Sequence, residues 1–355
     1  MEVRALRRIL LALVGTGDVP DLAHLAAPDW AALNALAAQH RLKPLLHFQQ
    51  AGDIRIPAAV RADWHQAHRG AALQAMLTRQ ELRECVALLE AAGTAPIALK
   101  GAWLGAHAYP APALRPMRDI DLLVPQDQVL AAYAALKAAG YRDYGPAEMS
   151  LEQAMRLDKH LPPLVAPRGT VVELHHRLWE PDGRLDHASP VEQAGTTQVV
   201  RDDDGIAYLT PAETLAHLIV HAVYSHRLDC GPLLLPDIDY LLRAEPIDWP
   251  VFWQRASAEG WRSGARLVLE LVASYRPGAS IDFAADSGPP PPPELIASAP
   301  DLLLQDLNTR RSAGLFAGTL KAGPASLLQR LRGRRGVHGE AAITRTMEHE
   351  GGMLG

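Results

Sequence analysis

The sequence predicts an α+β fold in which a small mixed β-sheet lies between two helical regions. Alanine- and leucine-rich segments with apolar residues at helical spacing occupy both sides of the chain's middle part. Between them, short apolar runs alternate with helical segments, a pattern typical of mixed strands and helices. We therefore divide the chain into an N-terminal helical region (1–93), an α+β core (94–208), a C-terminal helical region (209–277) and a proline-rich linker with a basic, flexible tail (278–355).

The composition limits the classes of protein that the chain can represent. With 355 residues and 48% hydrophobic content, it is long enough to bury a large core and to hold more than one structural unit. A formal net charge of -5 gives it no overall cationic field, which makes a long nucleic acid a less favoured partner. Cys85 and Cys230 form neither a zinc pattern nor a disulfide framework, which fits a reducing cytoplasm.

The first residues resemble a targeting segment only in part. Residues 1–15 combine arginines with an apolar run, as a signal peptide does, but Glu2 lies where that peptide requires positive charge. We expect an ordinary amphipathic helix there. No apolar run reaches the roughly 18 to 20 residues that span a bilayer. The protein is therefore predicted to be cytoplasmic and to have no membrane partner.

The expected helices and strands follow from periodicity and from glycine and proline positions. Four or five helices are expected before residue 93, the longest from about 57 to 92, where Gly93 closes it. For the core we predict strands at 97–99, 119–124 and 171–175, helices at 102–108 and 126–139, and a short hairpin near 197–208.

Beyond the core, helices are expected again as far as about residue 275. Thr210, followed by proline and then by Glu213, is a strong helix start signal. The uninterrupted prolines at 289–293 favour an extended segment. Between 307 and 339 the charged residues are all basic, which would suit nucleic acid or an acidic partner; the alternative that we favour is a solvated tail.

The stretch 97–124 carries the strongest functional signal. Asp119 and Asp121 lie two positions apart in a predicted strand, so their side chains share one face. Two carboxylates this close repel each other unless a cation compensates them, and hard oxygen ligands suit Mg²⁺. Lys100 and Gly101 end the preceding strand, where a lysine and an accessible backbone before a helix would suit a phosphate. The stretch therefore predicts a metal and nucleotide site.

Two arginines and a second acidic pair need separate interpretations. Arg115 and Arg118 are predicted to contact phosphates and to stabilise charge in the transition state; the alternative is ion pairing with the neighbouring aspartates. Arg118 directly precedes the acidic pair and is the stronger candidate. Asp237 and Asp239 repeat the Asp-x-Asp spacing at a predicted helix start, so we expect capping or packing of them.

Two histidines at helical spacing match part of a zinc-protease motif, but the complete motif is not present. His217 and His221 lie at positions i and i+4, as in H-E-x-x-H, but Leu218 occupies the position of the catalytic glutamate. We expect these histidines to pack, with lining of a cleft as the alternative. The sequence contains no G-x-S-x-G elbow, Walker A loop or Rossmann glycine pattern, so hydrolase, P-loop kinase and dehydrogenase functions have no support.

Three motifs together resemble a known family. They are L-K-G (99–101), R-x-x-R-D-I-D-L-L-V (115–124) and V-E-L-H-H-R-L (172–178). This succession is similar to nucleotidyltransferases of the DNA-polymerase-β-like superfamily. More narrowly, it resembles a bacterial group of uncharacterised nucleotidyltransferases, some of which accompany peptide natural-product gene clusters. The segment 217–228 also resembles that group, and the resemblance covers roughly 94–275.

The resemblance implies a polymerase-β-like core at 94–208 and assigns roles to site residues. It implies that Asp119 and Asp121 hold two Mg²⁺ ions, with Mn²⁺ as an alternative, and that Glu173 is a third ligand or the general base. His175 shares the strand face of Glu173 and is counted with Lys100, Gly101, Arg115 and Arg118 among the nucleotide-binding residues. The superfamily's usual Gly-Gly or Gly-Ser turn is replaced here by Lys-Gly, which makes this turn a variant phosphate clamp; the alternative is a surface lysine.

Three functions remain in competition on these residues. The first is transfer of NMP from an NTP to a hydroxyl or phosphate acceptor, with release of pyrophosphate. A peptide, a protein or a small molecule is the favoured acceptor. The second is γ-phosphoryl transfer at the same site, a kinase-like reaction. The third is a non-catalytic protein that binds a nucleotide or a partner on the same fold.

Overall fold

Four helices form the N-terminal region of the structure. In this computed structural model the described residues are 1–18, 20–145, 149–179, 199–226 and 228–307. The helices are α1 (Val3–Val14), α2 (Ala27–Gln39), α3 (Lys43–Gln49) and α4 (Ala58–Ala91). Their number and the long α4 confirm the prediction for this region. Helix α1 is amphipathic, as predicted, and buries a leucine-rich face that includes Leu6, Leu10 and Leu13.

The middle of the chain forms a seven-stranded mixed sheet. Its strands are β1 (Ile97–Ala98), β2 (Asp119–Leu123), β3 (Arg142–Asp143), β4 (Leu164–Val165), β5 (Val171–His175), β6 (Val199–Arg201) and β7 (Ala207–Leu209). They lie in the order β3-β4-β5-β2-β1-β7-β6. Strands β2 and β5 are parallel, whereas β1 is antiparallel to β2 and parallel to β7. The predicted strands and the predicted hairpin, formed by β6 and β7, are present.

Three helices accompany the sheet. They are α5 (Gly101–Trp103), α6 (Val129–Ala138) and α7 (Leu151–Leu157). Helix α5 continues into a π-helical turn at Leu104–Ala108, so the segment predicted as one helix changes its winding. Helix α7 was not predicted, although Ser150 caps it by accepting a hydrogen bond from the Gln153 backbone. Strands β3 and β4 were also missed, because two residues are too few to show an alternating pattern.

Helices return after the sheet, as predicted. They are α8 (Pro211–Val220), α9 (Leu234–Ala244), α10 (Trp249–Ala258) and α11 (Arg262–Tyr275). Thr210 caps α8 by accepting from the Glu213 backbone at 3.4 Å, and α8 continues into a second π-helical turn at His221–Ser225. Among the helices of the described residues, none has the length and the apolar character needed to cross a membrane.

One segment of the predicted linker and tail is instead a packed helix. Helix α12 (Pro293–Leu303) follows the proline run and contacts α1 and α11. Its residues Leu302 and Leu303 are buried, because the helix adds an apolar face to the common core. The basic residues expected in a flexible tail begin after residue 307 and lie outside the described residues.

The second Asp-x-Asp pair holds the C-terminal helices together, which confirms the packing alternative. Asp239 is fully buried and accepts from Arg276 Nε at 2.6 Å and from Arg243 Nε at 2.9 Å. Arg276 also donates to the carbonyl of Val14 at 2.6 Å, which ties α11 to the end of α1. Neither aspartate caps a helix, since Leu233 occupies the N-cap of α9.

Candidate metal and nucleotide site

The pairing of β2 with β5 brings the predicted acidic residues onto one face of the sheet. The parallel register places Asp121 beside Glu173, Asp119 beside Val171 and Leu123 beside His175. Because side chains alternate along each strand, both aspartates, Glu173 and His175 project to the same side. This register is the structural basis of the site.

Asp121, Glu173 and His175 form the tightest group of donor atoms. His175 Nε2 lies 2.9 Å from Oδ1 of Asp121 and 3.5 Å from Oε2 of Glu173. One donor atom from each residue lies within 4.8 Å of the other two, a spacing that would let one metal ion contact all three. The sequence had placed His175 with the nucleotide, whereas here it lies among the candidate metal ligands. Asp119 lies on the same face but is not among the atoms gathered within this distance.

Lys100 supplies a positive charge to this face. Its Nζ lies 3.2 Å from Oδ2 of Asp121, and only 15% of its side chain is exposed. Burial opposes the charged form, but Asp121, Glu173 and Asp119 outweigh burial and raise the pKa of Lys100. Lys100 also has a positive φ of 47°, a backbone conformation that is uncommon outside glycine. The surface-lysine alternative therefore does not describe this residue.

The carboxylates differ strongly in their electrostatic environment. Burial, then repulsion from Asp121 and Glu173, raises the pKa of Asp119 to about 6. Burial also disfavours charge on Asp121, but Lys100 and His175 prevail and hold the pKa of Asp121 well below its usual range. Against the same burial effect, His160 and His175 lower the pKa of Glu173 to about 2. A carboxyl with so low a pKa is better suited to hold a cation than to act as a general base.

The donor set fits a divalent cation. Carboxylate oxygens are the preferred ligands of Mg²⁺, and the imidazole of His175 widens the choice to Mn²⁺. Burial, and then repulsion from Asp121 and Glu173, raises the pKa of Asp119, and a cation bound beside it would offset the repulsive part. Within the described residues, moreover, no hydrogen-bond donor contacts the Asp119 carboxylate, so its oxygens remain open to a ligand.

Two of the predicted nucleotide-binding residues have structural partners. Arg115 forms a two-point ion pair with Asp237, with Nε–Oδ1 and Nη2–Oδ2 distances of 2.7 and 2.8 Å. Arg115 thus pairs with the distant aspartate of α9 and not with Asp119 or Asp121. Gly101 is approached by Met117, whose side chain would lie 3.0 Å from an added Cβ. The space beside Gly101 is therefore occupied by the Met117 side chain, and the predicted contact of Gly101 with a phosphate stays a prediction.

Arg118 remains open for a ligand, and a second arginine lies beside it. The Arg118 side chain is exposed and forms no ion pair with the described residues. Arg41, which the sequence did not single out, comes from the connection between α2 and α3 and donates from Nη1 to the carbonyl of Pro116 at 3.1 Å. No sequence pattern marks Arg41, because its position depends on packing between two distant regions of the chain.

Several histidines lie near the acidic face, the side of the sheet to which Asp119, Asp121, Glu173 and His175 project. Burial, followed by the charge of Lys100, holds the pKa values of His217 and His221 well below the ordinary range, so both are neutral at pH 7. Both ring nitrogens of His217 are buried without a hydrogen-bond partner among the described residues. His160 Nε2 lies 3.7 Å from Oε2 of Glu173. The histidines therefore pack near the site, as the sequence analysis expected for His217 and His221.

Comparison with known proteins gives one family. The family described as uncharacterised nucleotidyltransferase matches residues 26–277. This range extends the resemblance seen in the sequence, which covered only roughly 94–275, to most of the N-terminal helical region. No curated protein matches the chain.

Proposed function

The chain belongs to this uncharacterised nucleotidyltransferase family, and we propose that it transfers NMP from an NTP to a hydroxyl or phosphate acceptor and releases pyrophosphate. One observation carries the proposal. Asp119, Asp121 and Glu173 share one face of the paired strands β2 and β5, with the ammonium of Lys100 against Asp121. Three carboxylates on one face of the sheet, beside a lysine, suit a site that holds divalent cations together with a triphosphate.

Each residue has a role that its environment supports. Asp121 and Glu173 stay ionised and would hold Mg²⁺ or Mn²⁺ with His175, while Asp119 adds a carboxylate that accepts no side-chain hydrogen bond from the described residues. When bound, the ions neutralise phosphate charge and activate the acceptor oxygen. Lys100 and Arg118 supply fixed positive charge for the triphosphate. Arg115 supports the site indirectly, because it fixes the 115–118 turn to α9.

The proposed reaction breaks one bond and forms another. The acceptor oxygen attacks the α-phosphorus of the NTP, and the bond between that phosphorus and the oxygen bridging to the β-phosphorus breaks. Pyrophosphate leaves with the electrons of that bond, and a hydroxyl acceptor loses its proton to solvent water. We propose a peptide, a protein or a small molecule as the acceptor, since a net charge of -5 provides no general attraction for a long nucleic acid.

A two-label transfer assay tests this function. The protein is incubated with each of the four NTPs, labelled on the α- or the γ-phosphate, in the presence of Mg²⁺ and of extract fractions that supply acceptors. We expect α-label to appear in an acceptor and γ-label to appear in pyrophosphate. Asp119→Asn and Asp121→Asn should abolish the transfer, whereas Asp203→Asn, at an exposed aspartate on the β6–β7 connection, should not.

The label that is transferred distinguishes the competing functions. Transfer of the γ-label alone would show a kinase-like reaction at the same site. If no label is transferred but Mg²⁺-dependent NTP binding is lost in Asp121→Asn, the protein is a nucleotide-binding member of the family without turnover. If wild type and both variants bind NTP equally, the acidic face is not the nucleotide site.

A further inference from the structure

Arg41, from the N-terminal helical region, contacts the turn that precedes Asp119. It follows α2, and its Nη1 donates to the carbonyl of Pro116 at 3.1 Å, while Nη1 of Arg115 donates to the same carbonyl at 3.3 Å. Pro116 lies three residues before Asp119. The guanidinium of Arg41 is therefore held at the turn that leads directly into the candidate metal ligands.

The backbone of Arg41 is strained, and neighbouring contacts hold it in place. Its φ is 57°; within the described part of the chain only Lys100 and Leu228 share a positive φ without being glycine. Such strain persists where the surroundings enforce it, and it concentrates at functional sites. His40 Nε2 lies 2.9 Å from the carbonyl of Gln305, and the Leu307 backbone donates to the Gln39 side chain at 3.0 Å. These contacts fix the turn that carries Arg41.

Three arginines, Arg41, Arg115 and Arg118, lie around Pro116, and they differ in their partners. Arg115 is neutralised by its two-point pair with Asp237. Arg118 has no ion-pair partner among the described residues, and Nε of Arg41 is buried without a hydrogen-bond acceptor. Burial, then the charges of Arg118 and Arg115, lowers the pKa of Arg41 to about 9. Such a group of guanidiniums is completed by an anion, and phosphate groups match their planar donor geometry.

We propose that Arg41, together with Arg118, binds the β- and γ-phosphates of the NTP, so that the N-terminal helices contribute a residue to the nucleotide site. The inference rests on the proposed function, because it takes the acidic face as the NTP site. Arg118 directly precedes Asp119 and Arg41 contacts the same turn, whereas Lys100 pairs with Asp121. A triphosphate held by both groups has its negative charge compensated at both ends. The family match includes residue 41, as this role requires.

Three variants test the role of Arg41. Arg41→Gly removes the guanidinium and suits the positive φ, so the variant is expected to fold. Arg41→Lys keeps a positive charge without the two-point donor geometry. Arg142→Ala, at an exposed arginine of the outer strand β3, is the matched control. Binding of Mg²⁺–pyrophosphate, of AMP and of an ATP analogue with a methylene bridge between its α- and β-phosphorus atoms is measured by calorimetry, and folding by the thermal midpoint.

We expect Arg41→Gly to weaken binding of the ATP analogue and of pyrophosphate by about tenfold or more, with AMP binding and the thermal midpoint unchanged. Arg41→Lys should lie between Arg41→Gly and wild type, and Arg142→Ala should match wild type. Wild-type affinity for the analogue in Arg41→Gly, with binding lost in Asp121→Asn, would overturn this inference and leave the proposed function standing. An equal loss for AMP would also overturn it. A wild-type protein that binds no NTP would overturn both.

Discussion

Lys100 and Asp121 form an ion pair on the acidic face, with 3.2 Å between Nζ and Oδ2. A metal ion held by Asp121, Glu173 and His175 would share the Asp121 carboxylate with the ammonium group of Lys100. The two positive charges would repel each other, so Lys100 would lower the affinity of the site for the metal. A bound triphosphate would give the lysine an alternative anionic partner.

Replacement of Lys100 by methionine should therefore have opposite effects on the metal-free and the metal-bound protein. Without metal, Lys100→Met leaves Asp121 short of a counter-charge and should destabilise the fold by about 3 kcal/mol. The affinity for Mn²⁺ should rise by about tenfold, because the substitution removes roughly 1.4 kcal/mol of electrostatic repulsion between Lys100 and the metal ion. Urea unfolding with and without Mg²⁺, and Mn²⁺ titration, measure the two effects.

Lys137→Met provides the control for this substitution. Lys137 pairs with Asp143 at 2.8 Å, but both side chains are substantially exposed, at 37% and 55%. Exposed ion pairs contribute about 0 to 1 kcal/mol, so this variant should change stability little and metal affinity not at all. An equal metal-dependent stabilisation in Lys100→Met and wild type would show that Lys100 and the metal do not share the face.

Replacement of Arg115 should mainly lower the stability of the fold, whereas replacement of Arg118 should mainly lower the affinity for NTP. Among the described residues, Arg115→Ala leaves the buried carboxylate of Asp237 with the hydroxyl of Tyr109, at 2.6 Å, as its remaining side-chain donor, and it should cost about 3 to 5 kcal/mol of unfolding free energy. Arg118→Ala removes an exposed side chain without an ion-pair partner among the described residues, so its stability should stay within about 0.5 kcal/mol of wild type. Its NTP affinity should fall.

Denaturant unfolding and NTP titration of the two variants test this separation. The double variant Arg115→Ala/Asp237→Ala should be less destabilised than the sum of its single changes, because each change removes the same pair. If the losses of unfolding free energy in the two single variants add up to that of the double variant, the Arg115–Asp237 pair does not stabilise the fold. If Arg118→Ala binds NTP like wild type, the assignment of Arg118 to the triphosphate is wrong.

The acidic face illustrates what the sequence does and does not contain. The two-residue spacing of Asp119 and Asp121 predicts their shared face, because alternation is local to a strand. Glu173 was assigned through the family resemblance, since no local pattern shows that β5 lies parallel to β2. The register that places Glu173 beside Asp121 is a property of the folded sheet.

The partners of the arginines could not be predicted for a related reason. Asp237 lies 122 residues from Arg115 along the chain, and its spacing with Asp239 predicts only capping or packing. Arg41 is marked by neither a motif nor a periodic pattern. Helix α12 was not predicted, because the proline run that precedes it favours an extended segment, although the buried leucines of the helix add to the core. Local patterns thus predict elements and shared faces, whereas long-range charge pairing depends on the packing of the elements.

Buried neutral histidines should make the fold sensitive to acid. Burial, then the charges of Arg118 and Arg41, lowers the pKa of His40 from its ordinary 6.5 to about 4; for His176, burial and then Arg177 lower the pKa to the same value. A histidine with a lowered pKa in the folded state binds its proton more readily when unfolded. Its stabilising contribution is complete above about pH 6.5 and is lost as the pH falls toward 4.

His176→Leu isolates one such histidine. Both ring nitrogens of His176 are buried without a partner among the described residues, and His176 projects to the face opposite His175. Wild type should lose up to about 1.4 kcal/mol of unfolding free energy per pH unit through this residue between pH 6.5 and 4. The variant should lack that part of the slope and be at least as stable at pH 7, because it buries no unpaired nitrogen.

Urea unfolding at a series of pH values in this range measures the slope. His24→Leu is the matched control, because the His24 side chain is 54% exposed and its replacement should leave the slope unchanged. Asp119, with a pKa raised to about 6, titrates in the opposite sense: its contribution to stability grows as the pH falls from 6 toward 4. Asp119 contributes equally in both proteins, so its contribution cancels when the unfolding free energies of His176→Leu and wild type are subtracted at each pH. Identical slopes in the two proteins would show that His176 is not held neutral by the fold.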